Sequence, residues 1–174
     1  SENDFALVGA PLVVYGVGAA DLTLAGNTVS HSDPTGPGLV LQDVGNASVT
    51  DNTLTVTGTP GPAAIALAAI ASTNPIALTA TGNTFTGYNQ ALYFGDVNGG
   101  ALGIDATLND NVFDFVIDAA PKVAELENVK DEIDARNNVW GTNTDLATVE
   151  SYVTLSGDTA VQGGSILLGP ITQP

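Results

Sequence analysis

Nineteen carboxylates, one histidine and three basic residues are the groups in this 174-residue chain that offer acid–base or ligand chemistry. Paired carboxylates can share acid and base roles in bond cleavage, so their spacing is read first. Asp43 and Asp96 form the best pair. Each ends an apolar run with strand character, Leu39-Val40-Leu41-Gln42-Asp43 and Leu92-Tyr93-Phe94-Gly95-Asp96. If these runs stack with Ile65 to Ile70 between them, the two carboxylates stand two rungs apart. That is roughly 9–10 Å, at the far edge of the spacing of inverting glycosidases. Tyr88, in Gly87-Tyr88-Asn89, reads as a surface loop tyrosine that could stack on a sugar, whereas Tyr15 and Tyr93 sit in core-type strands. Asp43, Asp96 and Tyr88 are therefore the candidate ligand-binding residues. Asp96, Asn98 and Asp105 offer oxygens for calcium, although their spacing matches no standard calcium loop and a plain Asn-Gly-Gly turn explains it. His31 lies in a Ser/Asp/Pro segment and reads as an exposed loop histidine. Arg136 reads as a partner of Asp134 or of a carbonyl. Asn46-Ala47-Ser48 is a glycosylation sequon that reads as turn chemistry. No catalytic residue is assigned.

Composition narrows the field. The formal charge of −16 comes mainly from the scarcity of Lys and Arg, so surface polarity must come from Thr, Asn, Ser and Gly. Such a surface cannot neutralise a run of phosphates, which excludes ordinary nucleic-acid binding and attraction to anionic membranes. Cys is absent, so there is neither a disulfide nor a thiolate zinc site, and one His cannot build a histidine-rich metal centre. The longest apolar stretch, Ala63 to Ala71, falls far short of the roughly 20 residues of a membrane span. Without Met, and starting at Ser1, the chain reads as a mature or excised segment.

The elements that must position these residues are repeats. Asn, any residue, then a large apolar residue recurs at Asn27, Asn52, Asn83, Asn111 and Asn138, with spacings of 25, 31, 28 and 27. Apolar runs begin at Leu12, Leu39, Ile65, Leu92 and, more loosely, Phe115, with nearly the same period. Each repeat reads as one turn of a coil with three short strands and Gly-rich corners, and stacked turns build parallel sheets around a continuous interior. Long Pro-containing loops, Ser32 to Gly38 and Gly58 to Pro62, fall at one phase of the repeat. An Asn at a tight bend donates to one rung and accepts from the next, which predicts a ladder of stacked amides. The apolar residue two positions on, Val29, Leu54, Phe85, Phe113 and Trp140, is expected to point inward. Asp51 and Asp110 are expected to cap the bend beside the ladder, two rungs apart.

The Asn-x-apolar turns resemble right-handed parallel β-helices of the pectin-lyase-like type. Asp134-Ala135-Arg136-Asn137-Asn138-Val139-Trp140-Gly141-Thr142 resembles the end of such domains in secreted bacterial surface proteins, with Val139 where an aromatic residue is usual. That resemblance implies a short helix and a last extended piece after the motif. The helix is expected in Thr144 to Val153, where Leu146, Val149 and Val153 have helical spacing. The lyases of this family use a Lys, Arg, His or Tyr base and a cation, and its hydrolases use clustered Asp with Gly-His-Gly and Arg-x-Lys, and the last two motifs are missing here.

The expectation is an all-β chain: one right-handed parallel β-helix of about five rungs with a short C-terminal helical cap. Residues 1–11 would form a partial first rung, 12–142 the repeats and 143–174 the cap and tail. Ala119 to Ile133 reads as a short excursion with helical character on the side of the last rung. The expected role is a non-catalytic extracellular structural, adhesive or assembly module of a microbial cell envelope, without an obligatory cofactor, as a homo-oligomer or envelope polymer. The alternative is a polysaccharide-active enzyme or carbohydrate-binding β-helix using the surface carboxylates.

Overall fold

The computed structural model describes residues 3–16, 21–69, 75–96, 103–115, 122–142, 145–157, 159 and 163–172. Eighteen strands wind into a parallel β-solenoid of about five turns, with three sheets of six strands each. Sheet A stacks β1 (Asp4–Val8), β4 (Thr28–Ser32), β7 (Thr53–Thr57), β10 (Thr84–Tyr88), β13 (Val112–Phe115) and β16 (Val139–Trp140). Sheet B stacks β2 (Leu12–Tyr15), β5 (Leu39–Gln42), β8 (Ile65–Ala69), β11 (Gln90–Asp96), β14 (Lys122–Glu127) and β17 (Val153–Ser156). Sheet C stacks β3 (Asp21–Ala25), β6 (Asn46–Thr50), β9 (Ile76–Thr81), β12 (Ile104–Asn109), β15 (Glu132–Asp134) and β18 (Ser165–Leu167).

Alternation within each strand sends every second side chain into the lumen. Sheet B contributes Leu39, Leu41, Ile65, Leu67, Leu92, Phe94 and Leu126, all buried. On sheet A the inward column pairs Phe5 with Val29, Val29 with Leu54, Leu54 with Phe85, Phe85 with Phe113, and Phe113 with Trp140. The last three rings stack nearly flat, at centroid separations of 5.2 and 4.9 Å. Toward the N-terminal end the column shrinks to Leu54 and Val29, and a cavity of about 190 Å3 opens there among Leu12, Leu24, Leu39 and Val49.

The corner between sheets C and A is made by the Asn ladder. Asn52 Oδ1 accepts from both the backbone N–H and Nδ2 of Asn27, at 3.0 and 2.8 Å. Asn83 does the same for Asn52, Asn111 for Asn83 and Asn138 for Asn111, all within 2.8–3.0 Å. Each ladder amide from Asn52 to Asn111 also donates to two carbonyls, those of Leu24 and Thr50 for Asn52, and those of Val49 and Thr81 for Asn83. The residue before each ladder Asn is left-handed: Gly26, Asp51, Gly82, Asp110 and Asn137 have φ of 55–70°. Asp51 and Asp110 thus stand at the bend as expected, with Gly82 in the turn between. Glycine adopts the left-handed turn there without strain and leaves room for the Asp51 carboxylate, which a Cβ on Gly82 would displace.

The ladder begins one coil earlier than the sequence reading placed it. Asn3 Nδ2 donates to Asn27 Oδ1 at 3.0 Å, and Asn3-Asp4-Phe5 carries the same Asn-x-apolar pattern. At the other end the tail continues the coil. Thr172 N–H donates to Asn138 O, as Thr28, Thr53, Thr84, Val112 and Val139 do to the preceding ladder residue. Ile171 therefore occupies the next ladder place and, having no amide, stops the ladder. The helix, α1 (Leu146–Glu150), is N-capped by Asp145, whose carboxylate accepts from Thr148 N–H at 3.0 Å. Its Val149 is fully buried.

Two expectations fail. Ala119 to Ile133 is no helical excursion, since its described part holds β14 and β15. The fifth strand of sheet B is therefore Lys122–Glu127 and not the run from Phe115, which ends β13 in sheet A. In β14, Ala124 and Leu126 face inward while Glu125 and Glu127 alternate outward, and those charges hide the strand pattern from a search for apolar runs.

Replacing Asn83 by Ala strips two N–H groups of Asn52 of their acceptor and frees the Val49 carbonyl inside the coil. The expected loss is about 2–4 kcal/mol of unfolding free energy. It should appear as a lower urea midpoint, and the same change at Asn27, beside the open end, should cost less.

Candidate functional site

Three places hold the chemistry-bearing residues: the outer face of sheet B, a buried corner between sheets A and B, and the N-terminal edge.

On sheet B, strand register sets Asp96 opposite Ala69 and Gln42 opposite Ala68, while Asp43 N–H donates to Ala68 O. Asp43 and Asp96 thus occupy one column two coils apart, as the repeat phase predicts. Asp43 is not the surface carboxylate that the ligand-binding expectation needs. It is buried, in a left-handed turn with φ of 53°, and accepts from Gln42 Nε2 at 3.4 Å. The Asp96 side chain and all of Asn98 lie outside the described residues. Asp105, the third calcium candidate, faces outward from β12 on a different sheet, beside Lys130 and Asp131. Among the described residues no group of three or more His, Asp or Glu could hold a metal ion.

The same face carries a polar group that sequence reading missed. Tyr93 Oη donates to Glu127 Oε2 at 2.5 Å, and Lys122 Nζ pairs with Glu125 at 3.0 Å. Register explains the meeting: Tyr93 lies opposite Glu125, and Gly95 opposite Glu127. A Cβ on Gly95 would stand 3.0 Å from Tyr93 Oη, so glycine leaves the ring its path to the next coil. Burial, then the Glu127 hydrogen bond and the charges of Glu127 and Glu125, push the Tyr93 phenol up to about 12. The alternation of Glu125 and Glu127 was the signal available for this group. Elsewhere, Arg136 grips Asp134 with two hydrogen bonds of 2.9 and 2.7 Å, as anticipated, and the guanidinium holds that carboxyl below the usual range.

The buried corner overturns two surface assignments. Tyr88 belongs to β10 and is 1% exposed, so it offers no ring to a sugar. His31 belongs to β4 and is also 1% exposed. His31 faces inward because it shares the parity of Val29 within the strand. Tyr88 would face outward by parity, but a register shift between Thr86 and Tyr88 turns it in, with Gly87 at φ of 85°. Gly87 inside a strand pattern was the sequence sign of that bulge. The Tyr88 ring then runs back along the coil axis over Gly61 and Gly38. A Cβ on Gly61 would stand 2.8 Å from its Cδ1, and one on Gly38 would collide with its hydroxyl. The hydroxyl meets His31 Nδ1 at 2.8 Å. Gly38 and Gly61 belong to the two long loops, which do share one phase between sheets A and B.

Among the described residues, β1, β2 and β3 at the N-terminal edge pair on one side only. Phe5, Val8, Val13 and Tyr15 are exposed there, Val8 to 83%. No basic residue precedes Lys122 anywhere in the chain.

Outward columns on the other sheets are hydroxyl-rich: Thr28, Thr53 and Thr84 beside Ser30, Thr55 and Thr86 on sheet A, and Thr23, Ser48, Thr79 and Thr107 on sheet C. β-Branched Thr suits an exposed strand face. Set against known protein families, curated sequences and solved structures, the chain gives no significant match.

Changing Glu127 to Gln removes a charge beside Tyr93, so its phenol should ionise at lower pH than the wild-type value of about 12; an ultraviolet difference titration reads this. Changing Gly61 to Ala should destabilise by roughly 1–3 kcal/mol, as overpacking does. The loss should largely vanish in a Tyr88→Leu background, which a double-mutant cycle of urea midpoints would show.

Proposed function

We propose that the chain is a non-catalytic structural module of an extracellular microbial envelope, which assembles by pairing through its first coil. The observation that carries this reading is the N-terminal edge. Three strands leave backbone donors and acceptors open on one side, an apolar lumen opens beside them, and exposed Phe5, Val8, Val13 and Tyr15 lie on the same coil. Edges of this kind are templates for further strands, and β1, β2 and β3 carry neither Lys nor Pro, their only charges being Asp4 and Asp21 at the strand starts. The scarcity of Lys and Arg, the hydroxyl faces and the fully packed Asn ladder suit a rigid spacer. They also support placing the coil with pectin-lyase-like right-handed β-helices, together with the closing segment around Trp140.

The carbohydrate reading ranks second. Its support moves from Tyr88 to Tyr93, Glu125 and Glu127, the last two about 6–7 Å apart along one strand face. Both carboxylates are already tied to a donor, Glu125 to Lys122 and Glu127 to Tyr93, which leaves neither poised as a general acid or base.

Light scattering over a concentration series, with and without calcium, tests the assembly role. The expected result is a mass that grows with concentration for the wild type and stays monomeric for a Val8→Glu/Val13→Glu variant, whose added negative charge on a coil that already carries Asp4 and Asp21 repels a second edge. A wild type that is monomeric throughout would overturn self-pairing.

A further inference from the structure

The interior of a β-solenoid is a poor place for an ionisable ring, yet His31 lies there with Nε2 lacking a hydrogen-bond partner among the described residues. Its other nitrogen meets Tyr88 Oη, and the two rings stand edge to face at 6.3 Å. This contact joins β4 to β10 across the intervening β7 and closes the corner over the glycines of both long loops.

We propose that the His31–Tyr88 contact is an acid-sensitive latch: protonation of His31 releases the first coils and frees the N-terminal edge. Either neutral tautomer satisfies Nδ1, as donor or as acceptor toward the phenol. The imidazolium adds a charge and leaves Nε2–H without an acceptor in an apolar surrounding. Among the described residues no carboxylate hydrogen-bonds or ion-pairs with it. Leu7 of β1 and Val56 of β7 flank His31 in the sheet, and the neighbouring elements bring Asp4, on the outward parity of β1, and Asp33, whose exposed carboxylate accepts from Thr59 N–H. Burial is the sole cause that lowers the His31 pKa, and burial likewise raises that of Tyr88, so the phenol does not supply an anion.

The sign follows from linkage. The opened chain takes up the proton near the ordinary value of about 6.5, and the closed chain only at lower pH. Stability is therefore intact above 6.5 and falls as pH drops through it. The opening equilibrium should therefore rise between pH 7.5 and 5.5, with about tenfold as the upper limit set by the opened-chain value. His31 is the one histidine of the chain, and the variants below separate its response from that of any other group. Whether the freed edge then pairs with another copy rests on the assembly reading above, and the latch does not.

Native-state hydrogen exchange at pH 7.5 and 5.5, corrected for intrinsic rates, tests the latch on the whole chain. The expected result is a rise in opening for β1 and β4 in the wild type, up to about tenfold, with little change for β12 and β15, and no rise in a His31→Leu/Tyr88→Phe variant that removes both polar atoms. His31→Gln, which keeps a polar partner for Tyr88 but cannot take a proton, serves as a second insensitive variant. Unchanged wild-type exchange, or an equal rise in either variant, would overturn the proposal. Light scattering on the same samples separates the two ideas. Acid opening without association keeps the latch and removes edge pairing. Association that grows with acid in the insensitive variants shows that the latch does not control it.

Discussion

One chain of hydrogen bonds fixes the coil. At the bend between sheets C and A the backbone turns too sharply for strand pairing, and the Asn side chains replace it. From Asn52 to Asn138 each ladder oxygen takes two N–H groups from the coil before it, and every such pair points the same way along the axis. Aligned bonds of this kind polarise one another in a low-dielectric interior. The price of the bend, a left-handed residue before each Asn, is met by Gly or by Asp and Asn, the residues that bear it best. The apolar residue two positions on is then held inward, so ladder and core column are one device.

That device gives the solenoid unlike ends. The inward column is widest at Phe85, Phe113 and Trp140, where flat stacked rings fill the lumen and α1 and the tail lie near by. It narrows to Leu54 and Val29, and the lumen opens. A repeat protein needs both ends covered or paired. Here Ile171 ends the ladder on one side, and on the other the edge strands meet nothing in the described residues. The reading of the chain as an assembling module follows from that contrast more than from any reactive side chain.

The buried corner shows a second principle. A tyrosine directed along the axis demands that the coils it crosses give up their side chains, and Gly61 and Gly38 do so. Its hydroxyl then needs a partner in a dry place, which His31 supplies. A polar pair half satisfied in this way fixes the register of three coils, and it ties their closure to the proton uptake of one ring. The long loops, with their Pro and Gly, are better understood as the housing of Tyr88 than as free insertions.

The sequence by itself determined the repeat, the three-strand coil, the ladder from Asn27 to Asn138 and the inward column, because period and alternation are local properties that stacking only repeats. It also marked α1 and the Arg136–Asp134 pair, both set by neighbours within a few residues. Tertiary structure alone decided the rest. Charged positions in β14 concealed a strand whose inward half is Ala124 and Leu126. A single bulge at Gly87 reversed the face of Tyr88, and parity with Val29 took His31 inside. Tyr93 and Glu127 are 34 residues apart in the chain, and only the register between neighbouring coils brings them together. Parity errors of one residue and contacts between coils are invisible to composition, since each depends on how one turn sits on the next.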